Sequence, residues 1–156
     1  MMKIFSSIII LFIIISDLFT KNKILKTLGD DLYIVNNYLI FNKTLNKGVA
    51  FSLLESESKY INYTITLIVT IIIFILINYL YKNFENFRKI EIFGLSMIIG
   101  GGLSNLIDRF YDHSVVDFII IHYKNIFFPA IFNIADLFIS LGILLIFLNY
   151  YVLKSK

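Results

Sequence analysis

The sequence predicts an all-α membrane protein, with four transmembrane helices and a small β-containing extracytoplasmic cap between helices 1 and 2. Three observations predict it. The 156-residue chain is 58% hydrophobic with a single proline, and its mean hydropathy of +0.82 lies far above that of soluble domains. Its apolar residues gather in runs of about 20, the length that crosses a hydrocarbon core of about 30 Å. The stretch between the first two runs is mixed in polarity and carries short strand-like segments. One integral membrane domain over residues 1–156 accommodates all of this.

The first span covers residues 4–20, behind Lys3. Its end reads Ser16-Asp17-Leu18-Phe19-Thr20-Lys21, without a small-x-small cleavage site, so a retained helix is expected instead of a cleaved signal peptide. The second span, residues 61–81, is almost unbroken. The third, residues 92–111, holds Gly100, Gly101, Gly102, Asn105, Asp108 and Arg109; small residues let membrane helices approach and polar ones then bond across the contact. The fourth, residues 129–153, opens on Pro129, which suits a first turn, and is followed by Lys154 and Lys156.

Residues 21–60 and 112–128 form the extracytoplasmic segments. In the first, Leu32–Val35 and Tyr38–Phe41 flank Asn36-Asn37, the pattern of a hairpin. In the second, Val115–Ile121 is β-branched and too short to cross, and is expected to lie along the membrane interface. Four spans put both termini on one side. Lysine and arginine divide evenly between the sides, but the short basic 82–91 connection favours cytoplasmic termini.

Several functions are disfavoured by composition. The net charge of +3 comes from scattered lysines, not a basic cluster with interleaved aromatics, so no nucleic acid is expected. The absence of cysteine excludes disulfides and thiolate chemistry. His113 and His122 lack an HExxH pattern, and no metal is assigned to them. The glycine triplet lacks the lysine of a phosphate loop, leaving close helix packing.

Asp136 stands seven residues into the fourth span, about 10 Å from its outer end at 1.5 Å per residue. An aspartate at the centre of a membrane helix costs roughly 2.5 to 3.5 kcal/mol on insertion scales, so it marks either a function or a hydrogen-bond hub. Asn133, Asp136 and Ser140 share a helix face, as do Gly101, Asn105, Asp108 and Asp112, which predicts a polar seam between spans three and four. Asp117, just past the third span, overhangs that seam. Two carboxylates converging in a partly dry site cannot both ionise, and a pair sharing one proton is equipped for acid/base chemistry on water. Asp17 and Lys21, four apart, read by themselves as a surface ion pair worth a few tenths of a kcal/mol. The competing readings are a small ion- or proton-translocating protein and a non-catalytic assembly protein whose aspartates only join helices.

Four blocks carry a resemblance: Asn46-Lys47-Gly48-Val49-Ala50-Phe51-Ser52, Gly101-Gly102-Leu103-Ser104-Asn105-Leu106-Ile107-Asp108-Arg109, Val115-Val116-Asp117-Phe118 and Phe132-Asn133-Ile134-Ala135-Asp136. In order and spacing they resemble the motif set of the lipoprotein signal peptidases (signal peptidase II) over nearly the whole chain. The resemblance implies a membrane-embedded aspartic endopeptidase that removes the signal peptide from diacylglyceryl-modified prolipoproteins, cutting just before the lipidated cysteine. It implies Asp117 and Asp136 as the catalytic pair. Asn46, Gly48, Asn105, Arg109 and Asn133 would shape the site or bind substrate, with Asp108 structural. Asp17 and Lys21 match the family's Asp-x-x-x-Lys. No cofactor is implied, and the expected setting is a monomer in the bacterial cytoplasmic (inner) membrane, in contact with lipid. Ser104, where the family usually has glycine, and Lys47 depart from the pattern.

Overall fold

A computed structural model describes residues 1–29, 32–48 and 58–154. Among them are helices α1 (Met2–Thr27), α2 (Lys59–Asn83), α3 (Lys89–Asp112) and α4 (Ile134–Lys154), and strands β1 (Tyr33–Asn36), β2 (Leu39–Asn46), β3 (Val115–Tyr123) and β4 (Ile126–Phe127). All four helices are long and apolar enough to cross a membrane. Their outward faces expose large apolar side chains such as Phe12, Phe74 and Phe147, an arrangement suited to lipid contact. Val49, Ala50, Phe51 and Ser52 of the first motif block, and Lys156, lie outside the described residues.

The bundle is organised around α3, which packs against each of the other three helices and is the most buried of the four. Its glycine triplet explains how. Successive residues on an α-helix point about 100° apart, so Gly100, Gly101 and Gly102 face three different neighbours. A Cβ on Gly100 would meet the Ile10 backbone of α1 at 3.2 Å, one on Gly101 the Ala135 carbonyl of α4 at 2.5 Å, and one on Gly102 the Ile73 side chain of α2 at 3.2 Å. Further along, Gly94 and Gly142 abut each other, a Cβ on either falling within 2.9 Å of the other's carbonyl oxygen. The triplet is therefore a packing device, as its composition suggests.

The cap is a four-stranded antiparallel sheet in the order β1-β2-β3-β4. The β1-β2 hairpin turns at Asn37-Tyr38, where the Tyr38 N–H donates to Asn36 Oδ1 at 2.8 Å. Val115–Ile121, expected to lie along the membrane interface, is a strand of this sheet. It pairs along β2, with Thr44 opposite Asp117 and Leu39 opposite Ile121, because a β-branched run next to an open edge satisfies its backbone by extending the sheet. The cap thus draws strands from both the α1–α2 and the α3–α4 connections. Phe118 and Ile119 of β3 bury with Ile24 of α1, and Leu28, Phe41, Phe132 and Ile134 close around them.

Two helix boundaries differ from expectation. The first helix continues past residue 20 to Thr27. The fourth begins at Ile134, not at Pro129, because residues before it are held by β3: Phe132 and Ile119 exchange backbone hydrogen bonds of 2.8 and 3.1 Å. Pro129 lies in the preceding connection.

Candidate active site

The start of α4 is a capping box written in unusual letters. Asn133 is the N-cap, its Oδ1 accepting from the Asp136 N–H at 2.9 Å, while Asp136 Oδ2 accepts from the Asn133 N–H at 3.2 Å. The reciprocal bonds match those of a Ser-x-x-Glu box, with Asn and Asp in place of Ser and Glu. Asp136 accordingly sits in the first turn, nearer the helix end than the seven residues expected, where the helix dipole favours negative charge. A third bond completes the cap: the Ala135 N–H donates to Asp17 Oδ1 of α1 at 2.8 Å.

Asn133 also joins the two predicted carboxylates. Its Nδ2 donates to Asp117 Oδ1 at 2.7 Å, and Asn46 on the adjoining strand donates to Asp117 Oδ2 at 2.9 Å. One residue thus touches Asp117 with its side chain and Asp136 with its backbone. Asp117 is only 3% exposed, and burial, then the neighbouring Asp136 charge, push its carboxyl up to about 6 against the opposing pull of the Asn46 and Asn133 bonds.

Behind this pair lies a buried ionic hub. Lys21 and Asp17 are 2% and 0% exposed, so the surface-pair reading of this i,i+4 spacing does not hold. The three protons of the Lys21 ammonium meet three acceptors: Asp17 Oδ2 at 2.6 Å, Asp108 Oδ2 at 2.7 Å and Asn105 Oδ1 at 2.8 Å. With its oxygen held there, and by Asn133 Nδ2 at 3.2 Å, the Asn105 amide turns Nδ2 toward Asp136 Oδ1, at 2.8 Å. Ser104 donates to Asp17 Oδ2 at 2.7 Å. The residue flagged as a departure is therefore an added ligand of the hub.

Arg109 Nη2 donates to the Gly48 carbonyl, and the Gly48 N–H donates to Asn46 Oδ1 at 2.9 Å, tying the end of β2 to the end of α3. The predicted polar seam is confirmed by the Asn105–Asp136 bond but is shorter than expected. Asp112 and Ser140 are exposed. Asp112 lies beyond the start of α4, and α4 meets α3 through Ala135, Ile139 and Gly142, about 100° to 160° around the helix from Ser140.

The family described as signal peptidase (SPase) II matches residues 9–152. The chain belongs to the signal peptidase II family. A lipoprotein signal peptidase of Clostridium novyi (strain NT) is 36% identical over 89% of this chain and 92% of its own length. One of Clostridium tetani (strain Massachusetts / E88) is 38% identical over 89% of the chain and 87% of its own. A bacterial membrane enzyme solved at 2.3 Å by the in meso method superposes with a TM-score of 0.82 at 27% identity, covering 96% of this chain and 89% of that one. The chain is thus a multi-pass bacterial membrane protein and an aspartic endopeptidase that removes signal peptides from prolipoproteins.

Sequence reasoning brought together Asp117, Asp136, Asn46, Asn105 and Asn133, all of which meet in one bonded cluster with Asp17, Lys21 and Asp108. It passed over the role of Ser104 and the capping function of Asn133. The Asn133-x-x-Asp136 spacing directly before an apolar run was the available signal for the latter.

Proposed function

We propose that Asp117 and Asp136 are the catalytic pair of this peptidase and act with a single shared proton. The ionised member takes a proton from water as its oxygen attacks the scissile carbonyl, and the protonated member donates to the carbonyl oxygen. When the tetrahedral intermediate breaks down, a proton passes from the pair to the leaving amine. The observation that carries this reading is the Asn133 bridge, which touches both carboxylates. Burial of Asp117, which keeps its carboxyl protonated up to about pH 6, supports it.

The substrate we assign is a prolipoprotein whose cysteine already carries a diacylglyceryl group, cut just before that cysteine. Each acyl CH₂ buried among the apolar helices would add about 0.8 kcal/mol of binding. Arg109, 5% exposed, has an Nη1 with no hydrogen-bond partner among the described residues, which suits it to a substrate carbonyl. Asp17, Lys21 and Asp108 position the site through Asn105, while Asn46 and Gly48 hold its cap side. The enzyme works as a monomer in the cytoplasmic membrane, with both termini cytoplasmic and the site at the outer face.

The test is cleavage of a diacylglyceryl-modified prolipoprotein by purified enzyme in detergent, with Asp117→Asn and Asp136→Asn compared at matched folded yield. Cleavage before the modified cysteine by wild type, and loss of it in both variants, is expected. Near-normal turnover by either variant would remove that residue from the catalytic pair.

A further inference from the structure

Two buried side-chain atoms among the described residues lack a hydrogen-bond partner, Arg109 Nη1 and Asn62 Oδ1. One is a donor and the other an acceptor. Nothing in the chemistry above uses Asn62, which is 5% exposed on the first turn of α2. Its direction follows from the helix: Asn62, Ile65, Thr66 and Ile73 are the buried positions of one face, and Ile73 meets Gly102 of α3. Gly102 and Arg109 are seven apart, two turns along the same face of α3, so Arg109 lies on the side of α3 that faces α2.

The seam also has a register. Ile73 sits level with Gly102, and ten residues earlier Tyr63 stacks edge-on against His113 at 4.8 Å, eleven residues after Gly102. The two helices run antiparallel, which sets Arg109 level with Thr66 and Asn62 one turn beyond it. Four residues of helix are about 6 Å. Two residues of an extended chain span roughly 6.6 Å, and residues two apart direct their backbone groups to the same side.

We infer that Asn62 Oδ1 and Arg109 Nη1 form a receptor for the backbone of an extended substrate segment lying along the α2–α3 seam. Arg109 Nη1 donates to a peptide carbonyl, and Asn62 Oδ1 accepts from a peptide N–H about two residues away. Buried polar atoms are rarely left unpaired, and a donor and an acceptor at this spacing are both satisfied by one extended strand. Arg109 lies within electrostatic reach of Asp117 and Asp136, so the strand held here adjoins the carboxylate pair. The inference rests on the peptidase reading proposed above and adds to it a recognition element that reads backbone instead of side chains.

The test uses the whole enzyme in detergent and synthetic diacylglyceryl-cysteine peptides. Asn62→Leu keeps the branched shape of the side chain and removes its amide, the acceptor oxygen included. It should raise KM roughly three- to tenfold, the value of one neutral hydrogen bond, with kcat unchanged, because the bond is made equally before and during the reaction. Melting temperature without substrate should hold or rise, since an unpaired buried acceptor is removed; a residue needed only for packing would lower it. Independently of any variant's folding, a series of substrates N-methylated at one peptide bond at a time should show a single position, near the cleavage site, with a comparable loss in wild type. That loss should vanish in Asn62→Leu. Normal wild-type cleavage with no sensitive position, or with the same sensitive position in Asn62→Leu, overturns the inference and leaves the peptidase reading standing. Absence of wild-type cleavage overturns both.

Discussion

Lys21→Met distinguishes a buried hub from a surface ion pair by about an order of magnitude in stability. Methionine keeps most of the apolar stem and removes the ammonium, so Asp17, Asp108 and Asn105 each lose a donor at 2.6 to 2.8 Å. Asp17 retains the Ser104 hydroxyl and the Ala135 N–H, but among the described residues Asp108 keeps only a long 3.4 Å contact from the Val116 N–H. Breaking a buried pair by removing one partner costs about 3–5 kcal/mol. An exposed i,i+4 pair is worth about 0.3–0.5 kcal/mol. For a chain of this size each kcal/mol moves the melting temperature by roughly 2–4 °C, giving an expected drop of about 6–20 °C.

The assay is thermal unfolding of purified protein in one detergent, with a second variant as control. Asp17→Asn, Lys21→Met and Asp108→Asn combined leave no bare carboxylate and should recover most of the lost stability, since the penalty lies in the uncompensated charge. Turnover should not return with it, because Asn105 still lacks the ammonium that turns its amide toward Asp136. A drop equivalent to less than about 1 kcal/mol in Lys21→Met, or a triple variant no more stable than the single, would refute the hub as the source of the energy.

Two further predictions follow from the same geometry. Because burial lifts the Asp117 carboxyl from 3.8 to about 6, the native state holds a proton there that the unfolded chain has released. Its contribution favours folding below about pH 4 and is lost as pH rises through 6, a change of roughly 3 kcal/mol at 1.36 kcal/mol per unit. Unfolding measured from pH 4 to 7 should show that decline in wild type and a flatter curve in Asp117→Asn. Gly101→Ala and Gly142→Ala place a Cβ 2.5 and 2.6 Å from a carbonyl oxygen of the facing helix, and each should cost about 1–3 kcal/mol by overpacking. Only Gly101→Ala should also cut turnover at matched folded yield, by tenfold or more, since it displaces α4 beside Asp136.

What could be read from the chain, and what could not, divides along the range of the interactions. The spans were legible because a bilayer demands long apolar runs regardless of what packs beside them. The hairpin was legible for a similar reason, since its turn is local, although it falls at Asn37-Tyr38, one residue past the Asn36-Asn37 expected. The β3 strand was not, because a short β-branched run reads alike as an interfacial segment or a strand until a partner edge is known, and β2 lies some seventy residues away. Lys21 shows the same limit more sharply. Nothing near it in sequence announces that Asp108 and Asn105, 87 and 84 residues on, will take two of its three protons, and only the resemblance raised it above a surface pair.

The Phe-Asn-x-Ala-Asp block fuses local and distant information, which is why the fourth helix was misjudged at its start yet the site was found. Pro129 and Asn133 are rival start signals, and the apolar run alone does not choose between them. The choice falls to β3, whose bonds to Phe132 keep the intervening residues extended and leave Asn133 as the first position free to cap. From that point the capping box does two jobs at once. The bonds that satisfy the first turn of α4 also fix the Asp136 carboxylate, and the Asn133 amide not needed for capping reaches Asp117. Starting α4 and assembling the carboxylate pair are therefore one structural event. It follows that substitutions of Asn133 should not separate folding of this helix end from activity, whereas changes at Asn46, which touches Asp117 from the strand side alone, leave the cap of α4 intact.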